Sequence, residues 1–295
     1  PMTKFNPQRN SAVVAELKLL NPWVENTDYG DDIVQLARAL LGDIGPISEK
    51  AHFEQRLATM GRFAAGRTAW NSWSQEMLEV RGLAGNDPAL GAVCDALAIA
   101  NFSGTRFTED VDFVALVFPG RADFCGSEFE AECWFQGSTF YGTAAFRQVS
   151  FMGEANFERA TFYGLADFGN SVFMQSGQFR QAQILGQALF EYIDFARGAW
   201  FSGAKLNEAV FSDARFGGAA AFTDCEFSGP ASFARAMFQK SCGFEGTKFL
   251  EGVDFSQVDV NGAAWFAKAA FATLPKFDDM YVAGGGDFHE IMAPA

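Results

Sequence analysis

The chain has 295 residues and carries 36 acidic against 22 basic side chains, a net charge of −14. With no basic patch to break that mild acidity, the charge argues against a grip on nucleic-acid phosphates or a docking face for anionic lipid. Its five cysteines, Cys94, Cys125, Cys133, Cys225 and Cys242, contain no CxxC pair, and its two histidines, His52 and His289, stand far apart, so neither a disulfide framework nor a metal site is indicated.

Residues 1–99 read as an α-helical domain. Ser11 caps AVVAELKLL, which stops at Asn21-Pro22 because proline restricts the residue before it. Asp31 and Asp32 open IVQLARALL, and Gly42 ends it. Ser48 and Glu49 open a pattern through Phe53, Leu57, Met60 and Phe63, whose spacings of three and four set the apolar residues on one face. Trp70, Trp73 and Met77 form the stripe of the next helix, AWNSWSQEMLEV, and read as core. A last short helix runs from Pro88 to about Ala98.

From Phe102 another rule takes over. Apolar anchors recur at alternating gaps of five and six, a period that fits neither a helix nor a simple strand and signals a repeat architecture. In the stretch 144–173 they are Phe146, Phe151, Phe157, Phe162, Phe168 and Phe173. Between 102 and 277 there are 33 anchors, 30 of them Phe, and no phenylalanine in that range lies off the register. Two residues before the anchors stands a small residue, Ala in 17 of the 33 cases, with only Leu116, Ile193 and Pro275 larger or stiffer. Side chains two apart on an extended backbone face the same way, so a large and a small residue share one narrow interior. Cys133, Cys225 and Cys242 take the small inward position, whereas Cys125 is expected to face outward.

This pattern resembles the pentapeptide-repeat family, whose consensus centres on Leu or Phe with a small residue two before it. The leader AWNSWSQEM followed by ANFSGTRF also looks like the Trp-Asn-x-Trp helix that leads into the repeats in many members. The family's spacing is strictly five, so the sixth residue here is expected to widen alternate corners. The resemblance implies a mainly β chain: a right-handed quadrilateral β-helix of about eight coils over residues 100–282, capped by the N-terminal helices, with 283–295 a degenerate last coil and cap. Leu206 to Phe211 is five where six is due, next to the non-Phe anchors Ile184 and Leu206, and a kink or shallow dent is expected there.

Outward positions carry whatever function the chain has. Tyr141, Tyr163 and Leu185 share one column, Met152 and Met174 another, and Trp134 and Trp200 a third, together a candidate interaction surface. Glu109, Asp110, Asp112, Asp123, Glu128, Glu130 and Glu132 make an acidic edge at the start of the repeats. No catalytic constellation, cofactor motif or metal-ligand set is found, and Gly284–Gly286 lacks the Lys-Ser/Thr of a phosphate loop. The expected function is therefore a non-enzymatic protein–protein interaction module whose partner is another protein, the oligomeric state being left open between monomer and dimer. The alternative is a DNA-mimicking binder of DNA gyrase or topoisomerase, known for part of the family. A third reading is an enzyme activity in the helical domain. No apolar run reaches the length of a membrane span and the first residues lack an apolar signal core, so a bacterial cytoplasmic protein is expected.

Overall fold

The computed structural model describes residues 49–84, 91, 94, 95 and 97–293, with the side chains of 49–54, 83 and 84 excepted. The two helices expected before Ser48 lie outside the described residues. Among the described residues two helices of known extent precede the repeats, α1 (Glu49–Ala64) and α2 (Arg67–Ala84), and residues 91, 94, 95 and 97 of the expected last short helix are helical as well. The chain then runs as a parallel β-solenoid of about nine turns, in which strands of mostly two residues pair with their equivalents one turn on. The anchor count gives about eight turns. The ninth arises because Tyr281–Val282 and Gly286–Asp287 pair with Asp259–Val260 and Ala264–Trp265, and Met292 bridges Ala270. The tail beyond 282 thus continues the pairing.

The fold divides into two compact units, one of residues 1–102, 116–123 and 140–142, the other of the remainder. In the first, Trp70 of α2 stacks on Phe102 at 5.7 Å and meets Phe118 edge-on at 5.4 Å. Its indole Nε1 donates to the Val117 carbonyl at 2.8 Å, and the Asn71 Oδ1 accepts the Val117 N–H at 3.0 Å. The Thr59 hydroxyl of α1 accepts the Asn101 N–H at 3.1 Å. The helices thereby supply partners to backbone groups that a strand edge would otherwise leave open. Both Trp70 and Asn71 come from the Trp-Asn-x-Trp leader.

The second unit holds two complete nine-stranded parallel sheets. One runs from Arg106–Phe107 to Tyr281–Val282, the other from Val111–Asp112 to Gly286–Asp287. Anchors one turn apart stack face to face, as Phe113 does on Phe135 at 4.5 Å and Phe146 on Phe168 at 4.8 Å. Neighbouring stacks meet edge-on, Phe135 against Phe146 at 5.4 Å and 89°. Both geometries suit the ring quadrupole and add about 0.5–1.5 kcal/mol per pair beyond area burial. The small inward residue makes room for this: a Cβ at Gly177 would lie 2.6 Å from the Phe195 ring. Where that residue is polar it serves the backbone, the Ser138 hydroxyl donating to the Phe135 carbonyl at 2.7 Å and the Cys225 thiol to the Phe201 carbonyl at 3.0 Å.

The alternation of five and six reflects two kinds of bend. Every gap of five puts the residue two past its anchor in the left-handed region, as at Ala115 (φ 54°), Gln148 (φ 58°) and Arg159 (φ 56°). No gap of six does so at that position; the extra residue turns the chain instead. The irregular gap from Leu206 to Phe211 obeys the same rule, with Glu208 at φ 33°. Lys205–Val210 and Gln183–Leu189 here form long strands whose pairing shifts register twice, on either side of the Gln187–Asn207 pair. Ile184 and Leu206 remain paired and buried. The missing residue is absorbed by a change of bend type, so the anchors are not drawn out of register.

Candidate interaction surface

The inward positions are filled by the stack, and the surface is built from the positions on either side of each anchor. On strands that lead into a five-residue bend, the residue just before the anchor has a structural task. Asp112, Asn156, Asp167, Asp254 and Asp287 each accept, through a side-chain oxygen, the N–H of the residue two further on, at 2.8–3.0 Å. These short loops of side chain onto backbone hold the bend open.

Met152 and Met174 follow Phe151 and Phe173 on strands paired in register, so the structure brings them together on adjacent turns, 41% and 44% exposed. Tyr163 and Leu185 likewise follow the paired anchors Phe162 and Ile184, and are 49% and 46% exposed. The Asn207 amide donates to the Leu185 carbonyl at 3.2 Å. Tyr141, in the helix-bearing unit, is exposed as well, and its N–H donates to the Phe118 carbonyl at 2.9 Å. The methionine strip and the Tyr163–Leu185 strip border different sheets and do not merge. Trp134 and Trp200 are half-buried and lie three turns apart, with Asn156 and Gln178 between them in the same column. The Arg180 guanidinium sits 5.2 Å over the Trp200 ring.

The acids at the start of the repeats do not stand as a uniform row. Arg106 pairs with Glu128 at 3.6 Å and with Glu130. Asp110 accepts the Glu132 N–H at 3.1 Å, and in the other unit Arg121 holds Asp123 at 2.9 Å. Asp112 is occupied with its own bend, and Glu109 is exposed to solvent. Further along, Arg235 grips Asp213 one turn below through two bonds of 2.8 and 2.7 Å, which keeps that carboxyl below its usual range.

Cys133, Cys225 and Cys242 are buried at the small inward position, and Cys125 is partly exposed. Burial raises all three inward thiols, Cys225 and Cys242 to about 12. Sequence reasoning passes over Trp265, Met237, Leu250 and Tyr192, all well exposed. The register is the signal that finds them, since each occupies an outward position; Tyr192 sits at a left-handed one, at φ 55°.

A sequence model of pentapeptide repeats, counted as nine copies, matches residues 126–172, 179–226 and 222–270. Residues 126–270 belong to the pentapeptide-repeat family. No curated protein matches the chain. Pentapeptide-repeat solenoids are generally structural or interaction proteins, and in this one the repeats leave only their outward side chains free to vary without disturbing the stack. Among the described residues no helix is long and apolar enough to cross a membrane.

Proposed function

We propose that this pentapeptide-repeat chain is a non-enzymatic scaffold that binds another protein through the outer face of its solenoid. The observation that carries the reading is the ordered exposure of large apolar side chains: Tyr163 and Leu185 on one pair of adjacent turns, Met152 and Met174 on another. Contiguous exposed aromatic and thioether side chains are characteristic of partner surfaces. A parallel solenoid also presents them at the fixed strand spacing of about 4.8 Å, with little ordering entropy left to lose on binding. The test is photo-cross-linking in cells with a benzophenone side chain at position 163 or 185, and at 257 as the control. A discrete adduct at 163 or 185 that is missing at 257 is expected; indistinguishable patterns at all three positions overturn the reading.

A DNA-mimicking binder of gyrase needs a continuous acidic row, and the Arg106 pairs with Glu128 and Glu130 interrupt it. Under the scaffold reading, gyrase supercoiling proceeds unchanged in the presence of the protein. Inhibition of supercoiling that is lost on Glu109→Gln with Glu132→Gln would restore mimicry.

A further inference from the structure

The methionine strip has a neighbour of opposite character. Glu130 precedes Met152 in the same column, because Phe129 pairs with Phe151. Across the bend a second column runs Asp110, Glu132, Glu154, fixed by the registers of Val111 on Cys133 and Cys133 on Ala155. Between the columns the bend is bare on two turns, at Ala131 and Gly153, where a Cβ at 153 would lie 2.3 Å from the Ala131 carbonyl carbon; exposed Glu109 precedes them and exposed Gln175 follows. The outcome is an exposed shelf with Met152 and Met174 on one side and Asp110, Glu132 and Glu154 on the other, Ser176 ending the acidic column on the turn of Met174 and half-buried Trp134 lying beside Glu132.

Its charge is largely uncompensated. Arg106 serves Glu128 and Glu130, while Glu109, Asp110, Glu132 and Glu154 have no ion pair among the described residues. A nucleic acid or an acidic protein would be repelled by such a shelf. A purely cationic surface would leave the methionines in water.

We propose that this shelf docks a basic amphipathic helix of about three turns, carried by the protein partner. The proposal rests on the scaffold reading and names the chemistry of what that scaffold binds. Residues three and four apart on a helix are about 5–6 Å from each other, close to the strand spacing of about 4.8 Å. A helix laid along the columns therefore sets one apolar side chain on Met152 and the next on Met174. Its flanking Lys or Arg side chains then reach Glu109, Asp110, Glu132 and Glu154. Unbranched thioethers adapt to apolar side chains of different shape, so the shelf selects amphipathic pattern and positive charge over a fixed sequence.

The test uses the full chain and a fluorescent 18-residue Leu/Lys peptide with leucines at helical spacing. The control is a permuted peptide of the same composition without that spacing. Anisotropy titrations are expected to show the patterned peptide binding at least ten-fold tighter than the permuted one. Met152→Ser with Met174→Ser, and the length-preserving Met152→Gln with Met174→Gln, each weaken it about ten-fold. Glu132→Gln with Glu154→Gln weakens it about ten-fold and flattens its salt dependence, whereas Tyr163→Ala with Leu185→Ala leaves it unchanged. Equal affinity for the two peptides, or full affinity in both methionine variants, overturns the proposal. Loss of peptide binding with persistent cross-linking at 163 removes the shelf and keeps the scaffold; loss of both removes both.

Discussion

Two regions of the molecule hold the same rings under different cover. In the helix-bearing unit Phe102 and Phe118 are fully buried, because Trp70 lies against both. In the last turn of the other unit Phe277 and Phe288 stack on Phe255 and Phe266 at 5.4 and 5.3 Å, as most pairs one turn apart do, and are still 38% and 48% exposed. Ring-on-ring contact covers one face only. What a phenylalanine contributes is therefore set by its place in the ladder, with a neighbour on one side or on both, as expected for a nearest-neighbour architecture.

The largest effect should separate those two cases directly. Phe157 is stacked between Phe135 at 4.7 Å and Phe179 at 5.0 Å, so Phe157→Ala is expected to cost about 3–5 kcal/mol in urea denaturation. Phe288→Ala removes a ring covered on one side and should cost about 1 kcal/mol. Equal costs would mean that stacking neighbours do not govern stability.

Trp70→Ala sharpens the comparison from the other region. It is expected to cost a similar 3–5 kcal/mol, roughly, and it should leave Phe102 and Phe118 in the half-covered state of Phe277 and Phe288. Hydrogen exchange would follow this as faster exchange at the Phe102 amide, whose N–H donates to the Asp123 carbonyl at 2.7 Å. Asn71→Ala takes the acceptor from the Val117 N–H and should cost about 1 kcal/mol. An unchanged denaturation midpoint would show that water replaces the amide without loss.

The two bend types allow a finer test. Gly126 lies at φ +65° in a five-residue bend, and beyond its two chain neighbours no atom lies within 4 Å of where an alanine methyl would point. Gly126→Ala should therefore fit sterically and lose only conformational ease, about 1 kcal/mol. Ala115→Gly, at φ 54°, should move the other way by less than that, since glycine also loosens the unfolded chain. Matching signs would refute the account of the bends.

Most of the fold is legible in the sequence because the stack is written in one residue type at a fixed period, and an inward Phe admits only a small partner two before it. The bends are half legible. The sixth residue is visible as an insertion, but the left-handed residue in the five-residue bend is not, because Ala115, Arg159, Tyr192 and Lys268 carry none of the glycine signal that Gly104 and Gly126 do. The shortened gap after Leu206 is legible as an irregularity, and the pairing shifts register there; that Glu208 takes the left-handed bend is not legible from the spacing. On the surface, the period places Met152 with Met174 and Tyr163 with Leu185. It does not reveal that Arg106 reaches two glutamates, since a long side chain's partner depends on rotamers that the repeat does not fix.

The thiols give an effect that is absent near neutral pH and appears only in alkali. Burial among the rings raises Cys242 from an ordinary 9.0 to about 12. An unfolded thiol ionises above about pH 9 while the folded one stays protonated, so the stability this group contributes is complete below about pH 9 and is lost as pH rises towards about 12. Each pH unit inside that window removes about 1.4 kcal/mol. Alanine already fills the same inward position in 17 of the 33 repeats, so Cys242→Ala should fit without strain. At about pH 8 wild type and variant should differ little in urea midpoint. At about pH 10 the variant should have gained on the wild type by on the order of 1 kcal/mol. A constant difference between those two pH values would mean that the thiol titrates alike folded and unfolded, and that the interior around the stacked rings admits the charge.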